Sequence, residues 1–514
     1  MGFIKRMLTN NRKESKSPPG ITRRAPAHGR RATGDIAANV EYVHDALFHT
    51  DDLQERSFEQ ADRPALLVYL SSVCDLAKIH EAILKPLLNS EDKDPERIIP
   101  AADMRRLTDL ESGIELLLRG YTLLFRHERE EFYAIETAVI VQRSVDEPSN
   151  EKAVQGAHNG FIESLHVNLQ LVRRQIGSRN LVVRRYSLGN MTKTEASLVY
   201  LNDLADPEIV EDIDQRLRAI DADNLMNGYL VLEYIEDRSF SPFPQILQTE
   251  RPDRVAANLL EGRVALLMEG TSAALLMPSS FFVFYQSPDD YNSRSLAGSF
   301  IRLLRLFSFL ITITLPAYYI AVVSFHYEVI PMELFYQIKG SVERIPYPPI
   351  LEALFMELTI ELLREASIRL PTPVSQSIGI VGGLVIGDAV VRVGLVSYPM
   401  IIVVALTAIA SFVVPSHEMS YSVRLLRFPV MIAASMFGFI GIAFCLTAIF
   451  VHLCKLKSFG TPYFAPVAPF RILDWKDALV RLPYWKLNER PNDPRPQKLV
   501  QERRSKEGGR HDQE

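Results

Sequence analysis

Three stretches without a single charged residue, each about as long as a bilayer core is thick, fall within about 150 residues of one another. They are residues 306–325, a run between 393 and 416, and residues 428–451. A helix needs roughly 20 apolar residues to cross hydrocarbon. Backbone in lipid must close its own hydrogen bonds, so runs of this kind are helices there. A fourth charge-free run, 370–387, is rich in glycine and ends at Asp388 and Arg392. Between the first and the fourth lies a helix-patterned segment, 350–370, that carries Glu352, Glu357, Glu361 and Glu365. The pattern predicts an α-helical polytopic membrane domain over residues 299–455. Its spans are expected near 303–325, 374–392, 396–415 and 428–452, with an amphipathic acidic helix at 350–370.

The polar sequence ahead of this block predicts an α/β soluble region of two subdomains, 37–142 and 143–298. The chain of 514 residues has room for both. In the first subdomain, residues 39–49, 71–89 and 101–120 place apolar side chains at helical spacing. Strand-like pieces lie at 64–71, 120–126 and 132–140. In the second, 160–176 reads as a helix, and 180–189 with 196–203 alternate as paired strands. Residues 206–221 open with Asp206 as an N-cap and Pro207 at the first helical position. Further strands are expected at 228–237, 263–270 and 272–286. Residues 1–36 are basic and turn-rich and are expected to form a disordered arm, which could touch anionic head groups. Residues 456–487 are proline-rich, and 488–514 are expected to be a disordered tail.

The basic start is followed by no apolar core of a signal peptide, so the first 300 residues are expected to face the cytoplasm. Arg302 and Arg305 at the mouth of the first run agree with the positive-inside tendency. Three cysteines, Cys74, Cys445 and Cys454, support neither a disulfide framework nor a zinc site. A net charge of −5 gives no signal for nucleic acid. No phosphate-binding glycine loop, paired-histidine metal helix or nucleophile elbow is present, so no cofactor, metal or enzymatic activity is expected. His158 and His166 stand two helical turns apart and read as structural. Pro242, Pro244, Glu250, Arg251 and Asp253 form a rigid polar loop, which reads as a docking turn or, less simply, a small-molecule site.

Five separated segments carry a resemblance. They are 143–174 (RSVDEPSNEKAVQGAHNGFIESLHVNLQLVRR), 241–270 (SPFPQILQTERPDRVAANLLEGRVALLMEG), 350–371 (ILEALFMELTIELLREASIRLP), 378–397 (IGIVGGLVIGDAVVRVGLVS) and 458–469 (SFGTPYFAPVAP). In this order and spacing they resemble the A subunit of the spore germinant receptors, the GerA family of endospore-forming Firmicutes. The resemblance covers residues 40–485. Two departures stand out: Gly156-Ala157 where the family has Gly-Pro, and Glu269-Gly270 where it has Asp-Gly. The resemblance implies a multi-pass protein of the spore inner membrane that helps convert nutrient sensing into germination. It implies partnership with membrane lipids, with a transporter-like B subunit and with a lipoprotein C subunit. It also implies a homo-oligomer acting as a nutrient-gated ion channel, with the nutrient bound mainly by the B subunit.

The residues of the membrane block bear on that expectation by their own chemistry. Glu357, Glu361 and Glu365 are spaced four apart and share a helix face with Arg364, while Glu352 lies off it. Carboxylates at membrane depth face water or a partner, and rings of them make cation-selective vestibules. Glu357, Glu361, Glu365 and Asp388 are therefore candidate pore-lining residues. The alternative is an interfacial helix whose acids meet water or arginines. Gly379, Gly383 and Gly387 make a small-residue stripe, which suits close helix packing or a moving gate. Asp388 and Arg392 are placed to pair. Four spans would put Arg424 and Arg427 outside, against the charge rule; letting 350–370 cross would send the tail out instead. A non-conducting scaffold subunit and a secondary transporter are the rival functions.

Overall fold

The computed structural model describes residues 30–60, 63–90, 94–99, 103–139, 148, 150–151, 155–371, 374, 383 and 387–501. They form two compact units, Met1–Val141 with Gly177–Arg184 and Gln142–Ile176 with Arg185–Glu514.

The first unit is built on a five-stranded antiparallel sheet in the order β1-β2-β4-β5-β3. Its strands are β1 (Leu53–Gln60), β2 (Arg63–Leu70), β3 (Met104–Leu107), β4 (Tyr121–Arg126) and β5 (Phe132–Glu136). Leu67, Val68, Leu123, Phe125 and Phe132 pack with Val43, Leu47 and Leu117 from helices Ile36–Ala46 and Leu110–Leu118. The helix expected over 101–120 is divided into the short strand β3 and the helix Leu110–Leu118. Asp109 accepts a hydrogen bond from Ser112 N and caps the helix there. The residues before it are thereby free to pair as β3 on the sheet edge. Gly113 lies against the Phe132 ring, where a Cβ would come within 2.7 Å.

A second sheet has the order β6-β7-β9-β10-β8 and belongs to the second unit but for the first half of β6. These strands are β6 (Leu181–Leu188), β7 (Thr194–Leu201), β8 (Leu247–Thr249), β9 (Val264–Met268) and β10 (Ala274–Met277). Helices Leu165–Gln175, Pro207–Arg218 and Pro252–Leu260 accompany it, and Asp206 caps the second as the sequence predicts. Two expected strands differ. Residues Gly228–Ile235 are a helix, because Asn227 accepts from Leu230 N and starts one. The 272–286 segment is a strand only to Met277. Pro278 cannot donate to a ladder, and Phe281–Tyr285 coil into a 3-10 turn.

Four long helices follow in the same unit: Ser295–Ser324, Pro349–Arg369, Tyr398–Phe412 and His417–Lys455. Among the described residues, the first and the last are long and apolar enough to cross a membrane. Tyr398–Phe412 is shorter, and most of the expected 374–392 span lies outside the described residues.

The last helix is not straight. Gly438 has φ 59° and ψ −138°, outside the helical region. Gly441 lies directly against the Ala433 carbonyl, eight residues back. In a straight helix that rise would be about 12 Å, so the chain doubles back at Gly438. The 428–451 run is therefore the end of one helix and the start of another.

The remaining directions follow from contacts. Tyr319, near the end of the first apolar helix, hydrogen-bonds Ser397, and Ser397 is held by Glu352. Arg364 donates to Ser411. Helices Pro349–Arg369 and Tyr398–Phe412 thus run alongside in the same sense, both starting at the far end of the first apolar helix.

After Lys455 the chain returns to the second sheet. Ser458 Oγ donates to Gln245 O at 2.8 Å, and Lys457–Ser458 pairs with Thr461–Pro462. Residues 488–501, expected as tail, are ordered. Glu489 bridges Val500, Lys498 reaches Asp203 at 2.7 Å, and Pro496 packs on Gly262. Buried Pro494 and Pro496 hold this stretch down together with the Lys498–Asp203 pair and the Arg490 bond to Leu260 O.

Candidate functional site

The acidic helix Pro349–Arg369 distributes its carboxylates to different surroundings. Glu352 faces the start of Tyr398–Phe412. It accepts from Ser397 N at 2.5 Å and from Ser397 Oγ, so a carboxylate sits at a helix N-terminus where the backbone N–H groups point. Glu357 is buried, and its Oε2 lies 2.6 Å from Arg427 Nη1. Glu361, about a quarter exposed, takes Arg424 at 2.7 Å and Arg427 at 2.5 Å on its two oxygens. Arg364 completes the seam, with Glu361 at 3.6 Å and its guanidinium over the Phe412 ring. Glu365 points outward and pairs within its own helix with Arg369. Asp388 is likewise exposed and pairs with Arg392 at 2.8 Å.

The expected face of three equivalent acids is therefore split. Glu357 and Glu361 form an arginine-clamped seam between the acidic helix and the first half of His417–Lys455, while Glu365 and Asp388 stand at the surface. By the charge rule Arg424 and Arg427 bear on membrane sidedness. They are the counter-ions of the seam, and Arg427 is fully buried. Two arginines three residues apart, ahead of an apolar run and opposite acids four apart, were the available signal.

Gly383 and Gly387 open onto space, since a Cβ at either would meet no atom within 4 Å. Among the described residues, nothing packs on these two glycines. Gly379 lies outside the described residues.

A second charged cluster ties the base of the first apolar helix. Asp290, 1% exposed, takes Arg305 Nη1 at 2.7 and 2.8 Å and Arg302 Nε at 3.3 Å. Arg302 also reaches Asp477 Oδ1 at 3.0 Å, and Tyr291 donates to the same carboxylate. These arginines do not stand free at a membrane edge, as their place in the sequence suggests. They join the sheet-bearing part of the unit, the first apolar helix and the segment after the last one. An aromatic cluster reinforces the joint: Phe281 meets Phe309 at 5.4 Å and Phe464 at 5.3 Å.

The proline-flanked loop is knotted into its own unit. Arg251, 1% exposed, is gripped by Asp253 at 2.7 Å and donates to Ala157 O. Glu250 accepts from Asn150, and Glu151 takes Arg254 at 2.6 Å. Pro242 and Pro244 flank Phe243, and the side chains of Ser241 and Phe243 meet His452 near the end of the last helix.

The chain is similar to known proteins over most of its length. The family model described as Bacillus/Clostridium GerA spore germination protein matches residues 41–493. Spore germination protein KA of Bacillus subtilis (strain 168) is 39% identical over 89% of this chain and 86% of its own length. Membrane protein YfkQ of the same organism is 37% identical, covering 83% and 84%. Among solved structures, the N-terminal domain of the A subunit of the Bacillus megaterium spore germinant receptor GerK3 aligns at 26% identity with a TM-score of 0.38. That match covers 50% of this chain and 99% of that one.

Proposed function

This chain belongs to the GerA family of Bacillus/Clostridium spore germination proteins, and on that premise we propose that it is the A subunit of a germinant receptor that forms part of an oligomeric cation pathway. It sits in the spore inner membrane through its helical region, with B and C subunits as partners.

One observation carries the membrane assignment: the helical region has its polarity reversed. On the first apolar helix Leu303, Phe307 and Leu310 are exposed, while Arg302, Arg305, Ser308 and Thr312 are buried. On Tyr398–Phe412 the pattern repeats, with Ile402, Ile409 and Phe412 outward and Thr407 and Ser411 inward. Apolar side chains outside and paired charges inside suit a lipid solvent. The relative named YfkQ is a membrane protein.

The helix directions support one arrangement of sides. The first apolar helix leads away from the sheet, and the acidic helix returns. Tyr398–Phe412 likewise returns from the far end of the first apolar helix. The broken helix goes out and back at Gly438. On this reading the sheet and the segment after Lys455, joined through Ser458 and Gln245, lie on one side, the cytoplasmic one. Arg424 and Arg427 then lie within the bundle, paired, where no charge rule applies.

Cation selectivity is assigned to the carboxylates left at the surface, Glu365 and Asp388. Symmetric copies would bring these into rings, and Gly383 and Gly387, with no described atom against them, offer a face for the neighbouring copy. The test is ion flux from liposomes holding the oligomer with its partner subunits. Glu365→Gln with Asp388→Asn is expected to lower flux or abolish cation preference. Unchanged flux and preference would remove the pore-lining assignment. Arginine capture of Glu357 and Glu361 favours a second reading, a non-conducting scaffold, which predicts no flux from the wild-type assembly.

A further inference from the structure

The helix Gly228–Ile235 has two unlike faces. Gly228, Val231 and Ile235 are buried, whereas Tyr229, Leu230 and Tyr234 stand 54%, 40% and 56% exposed. The loop after it carries Phe240 with its ring fully in solvent. This loop is not loose. Ser241 Oγ lies 2.9 Å from His452 Nε2, Phe243 stacks on the His452 ring at 6.0 Å, and Gln245 O holds Ser458. The exposed aromatic surface is thereby fixed beside the end of the last apolar helix.

Basic groups gather at the same place. Lys455 ends that helix, and Lys457 and Arg238 join it around an open recess of about 530 Å³. Arg216 in the recess is taken up by Asp212 and Asp237. Among the described residues no carboxylate pairs with Arg238, Lys455 or Lys457.

We propose that this surface seats the phosphate of an anionic phospholipid, with Phe240 and the tyrosine face set into the interfacial layer. The inference rests on the membrane reading above. Tyrosine rings and basic side chains collect at head-group level, and each basic residue near an anionic leaflet is drawn to it. A lipid supplies both needs of the patch at once: acyl carbon for Phe240 and phosphate for the three cations. A second protein copy would have to bring a matching acidic surface to this rim, and a leaflet of phosphates presents one all around it. Docked in this way, the loop holds the sheet of the second unit at a set height over the membrane.

The test uses the full chain in vesicles with and without phosphatidylglycerol. A Phe240→Trp variant is read against wild type, whose Trp475 and Trp485 give the background. Brominated acyl chains are expected to quench the added tryptophan, more strongly when phosphatidylglycerol is present. The Arg238→Gln, Lys455→Gln, Lys457→Gln triple variant is expected to lose affinity for phosphatidylglycerol on the order of a hundredfold, at unchanged helix content. Inorganic phosphate that displaces the lipid at equal concentration would make this a soluble-anion site and overturn the proposal. An unquenched tryptophan, or Tyr229→Cys cross-links between copies, would overturn it in favour of a protein interface. A chain that alkaline washing strips from the vesicles would instead sink the membrane reading itself.

Discussion

Arg427 Nη1 lies 2.6 Å from Glu357 Oε2, and both side chains are at most 1% exposed. This pair joins the acidic helix to the broken one where neither charge meets water. A buried pair adds little over an apolar pair of the same shape, but removing one partner strands the other. Glu357→Leu or Arg427→Met alone is expected to cost about 3–5 kcal/mol of stability. The double variant should recover most of that loss. Thermal unfolding of the purified chain in detergent, arranged as a double-mutant cycle, reads the difference, and additive losses would show that the two side chains act independently.

Asp290 holds Arg302 and Arg305 together at the base of the first apolar helix. Asp290→Ala is expected to leave two buried guanidinium groups short of a partner and to loosen the joint. Amide exchange over residues 281–310 should speed up in that variant, while exchange in the first unit stays as it was. Uniform exchange across both units would argue for global destabilisation instead.

The reversal at Gly438 places its backbone at positive φ, and an added Cβ would sit 2.9 Å from His326 Nε2. Gly438→Ala is expected to cost about 1–3 kcal/mol from backbone strain. Trimming His326 to alanine relieves the contact but not the strain, so the double variant should regain only part. Full recovery on trimming His326 would mean that φ at this position is not under strain.

Burial pushes the Glu236 carboxyl up to about 7, with Glu233 and Asp237 adding to the effect. Burial likewise pushes Glu261 up to about 7, against the pull of Arg263. A carboxyl held above its unfolded value of 4.5 keeps a proton that the unfolded chain has already released. The stability it contributes is full below about pH 4.5 and is lost as pH rises through about 7. The unfolding temperature of the second unit is expected to fall across that window. Glu236→Gln and Glu261→Gln should each flatten the slope, and a slope unchanged in both would place the titrating groups elsewhere.

Much of this protein was legible before any coordinates. The apolar runs marked the helical region, because hydrocarbon length is a property of sequence alone. Asp206-Pro207 announced its helix correctly, since a cap acts within three residues of itself. Local signals failed where two of them competed. The apolar run of 228–237 read as a strand, and the capping bond from Asn227 made it a helix. Residues 101–120 read as one helix, and Asp109 divided them. Gly438 sat inside an unbroken apolar run that gives no sign of a reversal, because glycine is tolerated in such helices either way.

Glu357, Glu361, Arg424, Arg427, Asp290, Arg302 and Asp477 are all visible in the sequence as charges. By itself the sequence determined which segments avoid water, which helices are capped, and which family the five ordered motifs resemble. Only the tertiary structure decided which charge faces which. The partners lie more than 60 residues apart in the seam and 175 apart between Arg302 and Asp477. Coulomb attraction at such separations exists only once packing has closed the loop between them, so no local pattern along the chain encodes it.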